Sequence, residues 1–323
     1  MAAPQVLVVG SYNQDCSWRV ERAPQAGETV RGHGFASAHG GKGYNQAVAC
    51  ARQAAPTTFI AALGSDAAAE AAQRAAAAEG ITTCWQRHAE RATGTACILV
   101  EDGGQNRIVV ALGANEALGE DFLVAQEAVF AASRILLVQL ENNIEATRTA
   151  CALARRHGLL CMLNPAPVHA GLDAALLGQV DLLIPNETEF TLLLERIAGL
   201  RVAADDLARH SDAELHALAR RLGVGSVIIT LGAQGCFVSH GAAARVGDAA
   251  ACYRVAAEAA RVVDTSGAGD AFCGALAAAL LRAKAPLRAA VVQANRCAAM
   301  STESRGAASA PTLAAVHARF DAR

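Results

Sequence analysis

The chain has 323 residues, of which 53% are hydrophobic and 18% charged, with a net charge of −2. That much apolar sequence can bury a large core, which excludes a disordered chain, and the lack of any basic run or stripe sets nucleic acid aside as a partner. No uninterrupted apolar stretch reaches membrane-spanning length, and the N-terminus lacks a basic segment followed by a long apolar one, so no membrane contact and a cytoplasmic location are expected.

Short apolar runs alternate with helical stretches rich in Ala, Arg and Glu. Residues 6–10, 58–63, 135–140, 159–164, 182–185 and 227–231 read as buried strands. Residues 43–54, 66–79, 120–132, 144–157, 187–196 and 212–222 read as the helices between them. The alternation predicts an α/β fold, a doubly wound and mostly parallel sheet covered on both faces. Two places break the rhythm. Residues 16–38 hold turn residues and short extended pieces, and residues 94–112 read as a hairpin around Asp102-Gly103-Gly104, with arms at 95–101 and 106–112. Together they predict a small β-sheet lid inserted in a single domain spanning 1–323. Residues 199–212 and 241–251 read as surface loops. Helices near 270–283 and 287–303, separated by Pro286, come last.

Gly10-Ser11-Tyr12-Asn13-Gln14-Asp15 follows the first strand. Ligands collect at the carboxyl ends of strands in such sheets. Asn13 and Asp15, two apart in an extended segment, face the same side; they read as partners for adjacent hydroxyls or as an Asx-turn. Gly40-Gly41-Lys42-Gly43-Tyr44-Asn45-Gln46 is a glycine-rich entry to a helix. It has the spacing of neither a Walker A loop nor a dinucleotide fingerprint. Its glycines permit close backbone approach to a polar ligand, and Lys42 and Asn45 offer groups that suit sugar hydroxyls; a plain loop-to-helix turn is the alternative. Lys42 and Lys284 are the only lysines. Glu141, at the end of the strand 135–140, is a hydroxyl acceptor or a solvated end. Asn186-Glu187-Thr188-Glu189 marks another strand end, where carboxylates hold Mg²⁺ through water or simply occupy a first helical turn. Thr230-Leu231-Gly232-Ala233-Gln234-Gly235 is, alone, a hairpin signal.

The stretch Asp264-Thr265-Ser266-Gly267-Ala268-Gly269-Asp270-Ala271-Phe272-Cys273-Gly274 carries the most information. A small-residue turn opens onto an apolar helix, predicted over 270–282, so backbone N–H groups converge at the positive end of a helix. That is an anion site needing no side chain. Asp270 at its lip reads as a base beside a transferring phosphoryl group or as an N-cap. The ten cysteines stand singly, without C-x-x-C pairs or histidines at ligand spacing, and read as small buried hydrophobes in a reducing compartment. The nine histidines form no ligand pattern.

In combination these stretches resemble the PfkB-type, or ribokinase-like, carbohydrate kinase family. Gly40-Gly41-Lys42-Gly43-x-Asn45-Gln46 and Asp264 through Asp270 are similar to its two signatures. The likeness spans nearly the whole chain through Gly10-Ser11-x-Asn13-x-Asp15, Gly113-Ala114-Asn115, Gln139-Leu140-Glu141, Asn164-Pro165-Ala166-Pro167, Pro185 to Glu189 and Thr230-Leu231-Gly232. The resemblance implies an ATP-dependent kinase acting on the O5 primary hydroxyl of ribose, with a lid that pairs subunits into a homodimer. Ribose would be held by Asn13, Asp15, Gly41, Lys42, Gly43, Tyr44, Asn45 and Glu141, with Asp270 as catalytic base. ATP would lie along Asn186, Thr230, Leu231, Gly232, Ala233, Gln234, Gly235, Gly269 and Asn295, with Gly267, Ala268 and Gly269 as the anion hole. Glu189 would hold Mg²⁺ through water. Asp264, Ser266, Ser301, Ser304, Gly306 and Ala310 would hold an activating K⁺, largely through backbone oxygens; Ala310 stands where Ser is usual.

Tyr44 replaces the usual small Ala, and His39 stands where an apolar residue is common, which leaves another pentose, a hexose or a nucleoside open as substrate. A non-catalytic sugar or nucleotide sensor on the same fold is opposed by the intact Asp270 and its glycine turn. A dinucleotide-dependent oxidoreductase is opposed by Gly10-Ser11-Tyr12-Asn13, which is not a Gly-x-Gly-x-x-Gly turn.

Overall fold

The first strand, β1 (Gln5–Val9), sends Val6 and Val8 into one hydrophobic cluster and Leu7 and Val9 into another. A strand buried on both faces belongs in the middle of a sheet with helices on either side. The computed structural model describes residues 5–242, 244–282 and 286–321; Lys284, residue 243 of the expected loop and residue 283 of the expected helix lie outside the described residues.

The further strands are β2 (Asn13–Val20), β3 (Gly34–Gly40), β4 (Thr57–Leu63), β5 (Thr82–Arg87), β6 (Gly94–Glu101) and β7 (Asn106–Ala111). They continue with β8 (Ser133–Val138), β9 (Leu160–Leu163), β10 (Leu182–Leu183), β11 (Ser226–Thr230), β12 (Cys236–His240) and β13 (Cys252–Val255). The main sheet has nine strands in the order β13-β12-β11-β10-β9-β8-β1-β4-β5. It is parallel from β5 to β11 and antiparallel at the β12–β13 edge. The helices Lys42–Arg52, Ala67–Ala78, Ala268–Arg282 and Leu287–Ser301 cover one face; Ile144–Arg156, Glu187–Ala198 and Asp212–Arg220 cover the other. Chain order reverses at β1, which lies between β4 and β8. Such a switch point leaves a crevice at the carboxyl ends of the two strands that diverge there.

The second sheet has four strands, β3-β2-β6-β7, with β2 parallel to β6 and the other pairs antiparallel. It is wider than the expected 16–38: Asn13 pairs with both Gly40 and Gly94. The lid and the expected sugar ligands therefore share one strand. β5, β13 and the helix Leu313–Phe320 go beyond the elements read from sequence, and the expected helix 120–132 is two, Glu120–Ala125 and Glu127–Ala132.

Candidate active site

The crevice is built first by Ser11, just past β1, and Glu141, past β8. The fully buried Ser11 donates its Oγ hydrogen to Glu141 Oε2 at 2.6 Å, and its carbonyl accepts the Tyr44 N–H at 2.9 Å. The Lys42 N–H donates to the same carboxylate oxygen at 3.0 Å. Glu141 thus caps the positive end of the helix Lys42–Arg52, a favourable place for a carboxylate, and fixes that helix to the switch point.

The helices Lys42–Arg52 and Ala268–Arg282 then touch closely. A Cβ on Gly274 would lie 2.5 Å from Ala49 Cβ, so only a hydrogen fits there. One turn earlier on each helix, the same approach brings Asp270 against Asn45 and Gln46. Asn45 Nδ2 donates to Asp270 Oδ2 at 3.0 Å and Gln46 Nε2 to Oδ1 at 2.9 Å. Asp270 is 6% exposed. It stands inside the first helical turn with its carboxylate directed to the neighbouring helix, which is not the geometry of an N-cap. Burial pushes its carboxyl above the usual range, while Lys42, Asn45 and Gln46 draw it back.

Gly267 has φ +73°, and a Cβ there would meet the Ala307 carbonyl oxygen at 1.9 Å. This fixes the turn that starts the helix Ala268–Arg282. The Ala268 N–H bonds to Thr265 O at 3.2 Å, so its place among the expected anion donors is modified. The amides of Gly267, Gly269 and Asp270 have no protein acceptor among the described residues. A cavity of about 180 Å³ lies at this turn, lined also by Lys42, Asn186, Glu189 and Thr230. Lys42, expected among the sugar ligands, reaches this cavity. Burial lowers its pKa, but the carboxylates of Asp270, Glu141 and Glu189 outweigh that and hold its ammonium charged.

On the lid side, Asn13 Oδ1 accepts from Asn115 Nδ2 at 2.9 Å, and Asn115 is itself tied to the Tyr12 backbone. Burial, reinforced by Glu141 and Asp270, pushes the Asp15 carboxyl up to about 6. Asn45 Oδ1 is buried without a partner, an acceptor that a ligand hydroxyl would satisfy. Gly41 is the N-cap of its helix, at φ +88°, and Gly43 is buried against Ser11. Tyr44 is 3% exposed, edge-on to Tyr12 at 5.4 Å and 6.5 Å from Phe59. His39 Nδ1 lies 2.7 Å from Tyr12 Oη. The two departures from the family pattern thus form an aromatic cluster with Tyr12, and Tyr44 is not among the residues lining the cavity at the glycine turn.

Among the expected nucleotide contacts, Asn186 and Thr230 are joined by a β-bridge at the ends of β10 and β11. Asn186 and Glu189 form a capping box: Asn186 Oδ1 accepts the Glu189 N–H at 2.8 Å and Glu189 Oε2 accepts the Asn186 N–H at 2.9 Å. Burial raises the Glu189 carboxyl, opposed by that backbone bond and by Lys42. Leu231 is 3% exposed, its side chain in the core, so it can meet a nucleotide only through its backbone. Gly232, Ala233 and Gln234 form an exposed 3₁₀ turn, followed by Gly235. Asn295 Nδ2 donates to Ala256 O at 2.9 Å and Val255 O at 3.4 Å, so it braces the chain leaving β13.

Asp264 joins two loops, accepting from the N–H groups of Ser266 and Gly306, each at 2.9 Å. Ser301 O accepts from Ser309 Oγ at 3.0 Å and from Ser304 N at 3.3 Å, and Ala310 O accepts from Arg52 at 3.0 Å. The expected K⁺ ligands are therefore neighbours, but the Asp264, Ser301 and Ala310 oxygens already carry protein hydrogen bonds. Sequence reasoning gave no role to Ser11, Gln46, Gln139 or Arg52. The signal available was a polar pair, Asn45-Gln46, opening an otherwise apolar helix face.

A buried carboxylate beside open main-chain amides at a helix start, with a second polar cluster across the crevice, defines a sugar phosphotransferase site on an α/β sheet. The family model described as pfkB family carbohydrate kinase matches residues 3–313, and the chain belongs to that family. Several of its curated relatives are ribokinases, and the deoxyribokinase of Salmonella typhi is 31% identical over 277 residues, covering 84% of each chain. The ribokinase of Haemophilus influenzae is 36% identical over 305 residues, covering 94% of each chain. The structure of ribokinase from Giardia lamblia superposes with a TM-score of 0.86 at 26% identity, over 99% of each chain. That of Arabidopsis thaliana ribokinase complexed with ribose and ATP gives 0.81 at 27% identity, over 98% of each chain.

Proposed function

We propose that the protein is an ATP-dependent ribokinase that transfers the γ-phosphoryl group of ATP to the O5 hydroxyl of D-ribose. The observation that carries this reading is the position of Asp270, held by two side-chain donors between the open amides of the glycine turn and the polar cluster of Asn13, Asp15, Asn45 and Glu141. Asp15, Asn13 and the unpartnered Asn45 Oδ1 bind the sugar hydroxyls and orient O5 toward Asp270. Asp270 accepts the O5 proton as that oxygen attacks phosphorus. The amides of Gly267, Gly269 and Asp270 meet charge building on the equatorial phosphoryl oxygens, and Lys42 neutralises it from the opposite wall. Lid closure excludes water from the transfer. ATP brings a divalent cation. The oxygen donors of Glu189 fit a hard, water-retaining ion such as Mg²⁺, which neutralises phosphate charge when bound. The test is ADP release with a panel of D-ribose, 2-deoxyribose, arabinose, fructose and adenosine. Ribose is expected to give the highest kcat/KM; a nucleoside or hexose in first place would replace the substrate.

The pH dependence of sugar binding follows from Asp15. Its carboxylate is the acceptor, and its pKa is raised to about 6. Above that pH it is ionised and sugar affinity is full; as pH falls through that value it takes up a proton and affinity drops. Calorimetric titration of ribose between pH 5 and 8 checks this, and Asp15→Asn should flatten the profile.

The junction of 264–266 with 301–310 gathers carboxylate and backbone carbonyl oxygens; Arg52 occupies Ala310 O, and the remaining oxygens suit an alkali cation. K⁺ there would stiffen the loop that shapes the glycine turn, so replacing K⁺ with Na⁺ is expected to lower kcat severalfold without changing ribose affinity. Equal rates in the two salts would remove this element.

The lid supports a homodimer. On its strands Ile108 and Val110 (58% and 43% exposed) share one face, and Phe35 and Val109 (63% and 70% exposed) share the other; exposed apolar side chains on a sheet of this kind mark an interface. Ile108→Glu with Val109→Lys is expected to halve the mass measured by light scattering. The cysteines are all free thiols, and no helix among the described residues is long and apolar enough to cross a membrane. Both features suit a cytoplasmic enzyme.

A further inference from the structure

Gln46 touches neither the cavity wall nor solvent, being fully buried, yet every polar atom it has is used. Its Nε2 donates to Asp270 Oδ1 at 2.9 Å and to Asn164 Oδ1 at 3.1 Å. Its Oε1 accepts from Gln139 Nε2 at 2.5 Å. Asn164 Nδ2 in turn donates to Ile184 O at 2.9 Å. Gln139, Asn164 and Ile184 follow β8, β9 and β10. The carboxylate on the buried helix Ala268–Arg282 is thereby referenced to three strand ends of the main sheet.

The orientation of the Gln46 amide is determined by its two acceptors. Reversing it would set Oε1 against the Asp270 carboxylate and Asn164 Oδ1, pairing acceptor with acceptor. We infer that Gln46 is the positioning residue of the reaction: it fixes which lone pair of Asp270 faces the sugar hydroxyl. The inference rests on the reading of Asp270 as the base. A carboxylate buried this deeply needs donors to remain charged. The charged and titratable groups facing it are Lys42, Glu141, Glu189, Asp15 and, on its own helix, Cys273. Lys42 is the single cation among these, so it faces several carboxylates at once, and the amides of Asn45 and Gln46 supply the remaining compensation.

The test compares Gln46→Met, Gln139→Met and Gln46→Glu with the unmodified enzyme, measuring kcat, ribose KM, the pH profile of kcat and the melting temperature. Gln46→Met keeps the volume and removes the donor. It should lower kcat by about 10- to 100-fold, the scale found for partners that orient metal-ligating side chains, with ribose KM changed far less. The acidic limb of its kcat profile should move up by about one pH unit. Gln139→Met, which removes the donor to Gln46 Oε1 and so loosens the amide, should move the limb in the same direction by less. Should Gln46→Met not fold, Gln46→Glu retains the acceptor for Gln139 and places a second carboxyl beside Asp270, which should move the limb further up. Added to Asp270→Asn, Gln46→Met should cause no further loss, because both act at one step. A folded Gln46 variant whose acidic limb is unmoved, in an enzyme that Asp270→Asn inactivates, overturns the inference and leaves the base in place. A fully active Asp270→Asn enzyme overturns the base itself.

Discussion

Replacing Asp270 with Asn lowers kcat by about 10²–10⁴-fold, the range general-base assistance supplies, while ribose affinity changes little. Three features make the effect this large. The carboxylate is 6% exposed, so no solvent base reaches the hydroxyl in its place. Its two oxygens are held by Asn45 and Gln46, so the base arrives already oriented. Attack on phosphorus is otherwise a matter of positioning and charge neutralisation, which Asn leaves intact. The Asn side chain fits the space but turns an N–H₂ toward one of the two donors, a mismatch of about 1–3 kcal/mol. Melting temperature should therefore be recorded beside turnover. A folded Asp270→Asn enzyme with near-normal kcat contradicts the assignment.

The second large effect is expected at Gly267. Its φ of +73° lies where an L side chain is strained, and the added Cβ would sit 1.9 Å from Ala307 O. Accommodation requires the turn to move away from the loop that Asp264 ties to Gly306. The amides of Gly267, Gly269 and Asp270 would then no longer converge. Gly267→Ala is expected to cost about 1–3 kcal/mol of stability from backbone strain. Losing aligned oxyanion donors should reduce kcat by about 10²-fold or more. Gly269→Ala is the control for stability, because a Cβ there meets nothing within 4 Å. Equal melting temperatures and rates for the Gly267 variant and the unmodified enzyme would mean that the turn does not build the anion site.

The parallel core was legible because its strands are continuous apolar runs: Thr57–Leu63 and Ser226–Thr230 lie within a residue of their expected bounds. β5 was not, since Thr82–Arg87 is a half-exposed edge strand with mixed polarity and no buried face to mark it. β13 is a short edge strand of the same kind, joined to β12 through the loop 241–251. The lid was read too short because Asn13, Asp15 and Gly40 look like turn residues; their strand character comes from the pairing of Asn13 with Gly40 and Gly94 and of Asp15 with Ala38 and Ala96.

Within the site, Asp270, Lys42, Asn45 and Glu141 were visible through glycine spacing and strand ends. The network behind them was not. Gln46 is separated from its partners Gln139, Asn164 and Asp270 by 93 to 224 positions, and nothing local distinguishes a buried amide that holds a base from one that merely caps a strand. Tyr44 shows the converse: a bulky residue in a binding motif suggests a smaller pocket, yet its direction is set by Tyr12 and Phe59 in the core.

The convergence of Asp270 and the 267–270 amides on one phosphoryl group is tested most directly by the product. D-Ribose and ATP are incubated with the enzyme and Mg²⁺, and the sugar phosphate is examined by phosphorus–proton correlation NMR. A single product with phosphate on C5, formed one for one with ADP, is the predicted result. Phosphate on C1, or ADP formed without a phosphorylated sugar, would contradict it.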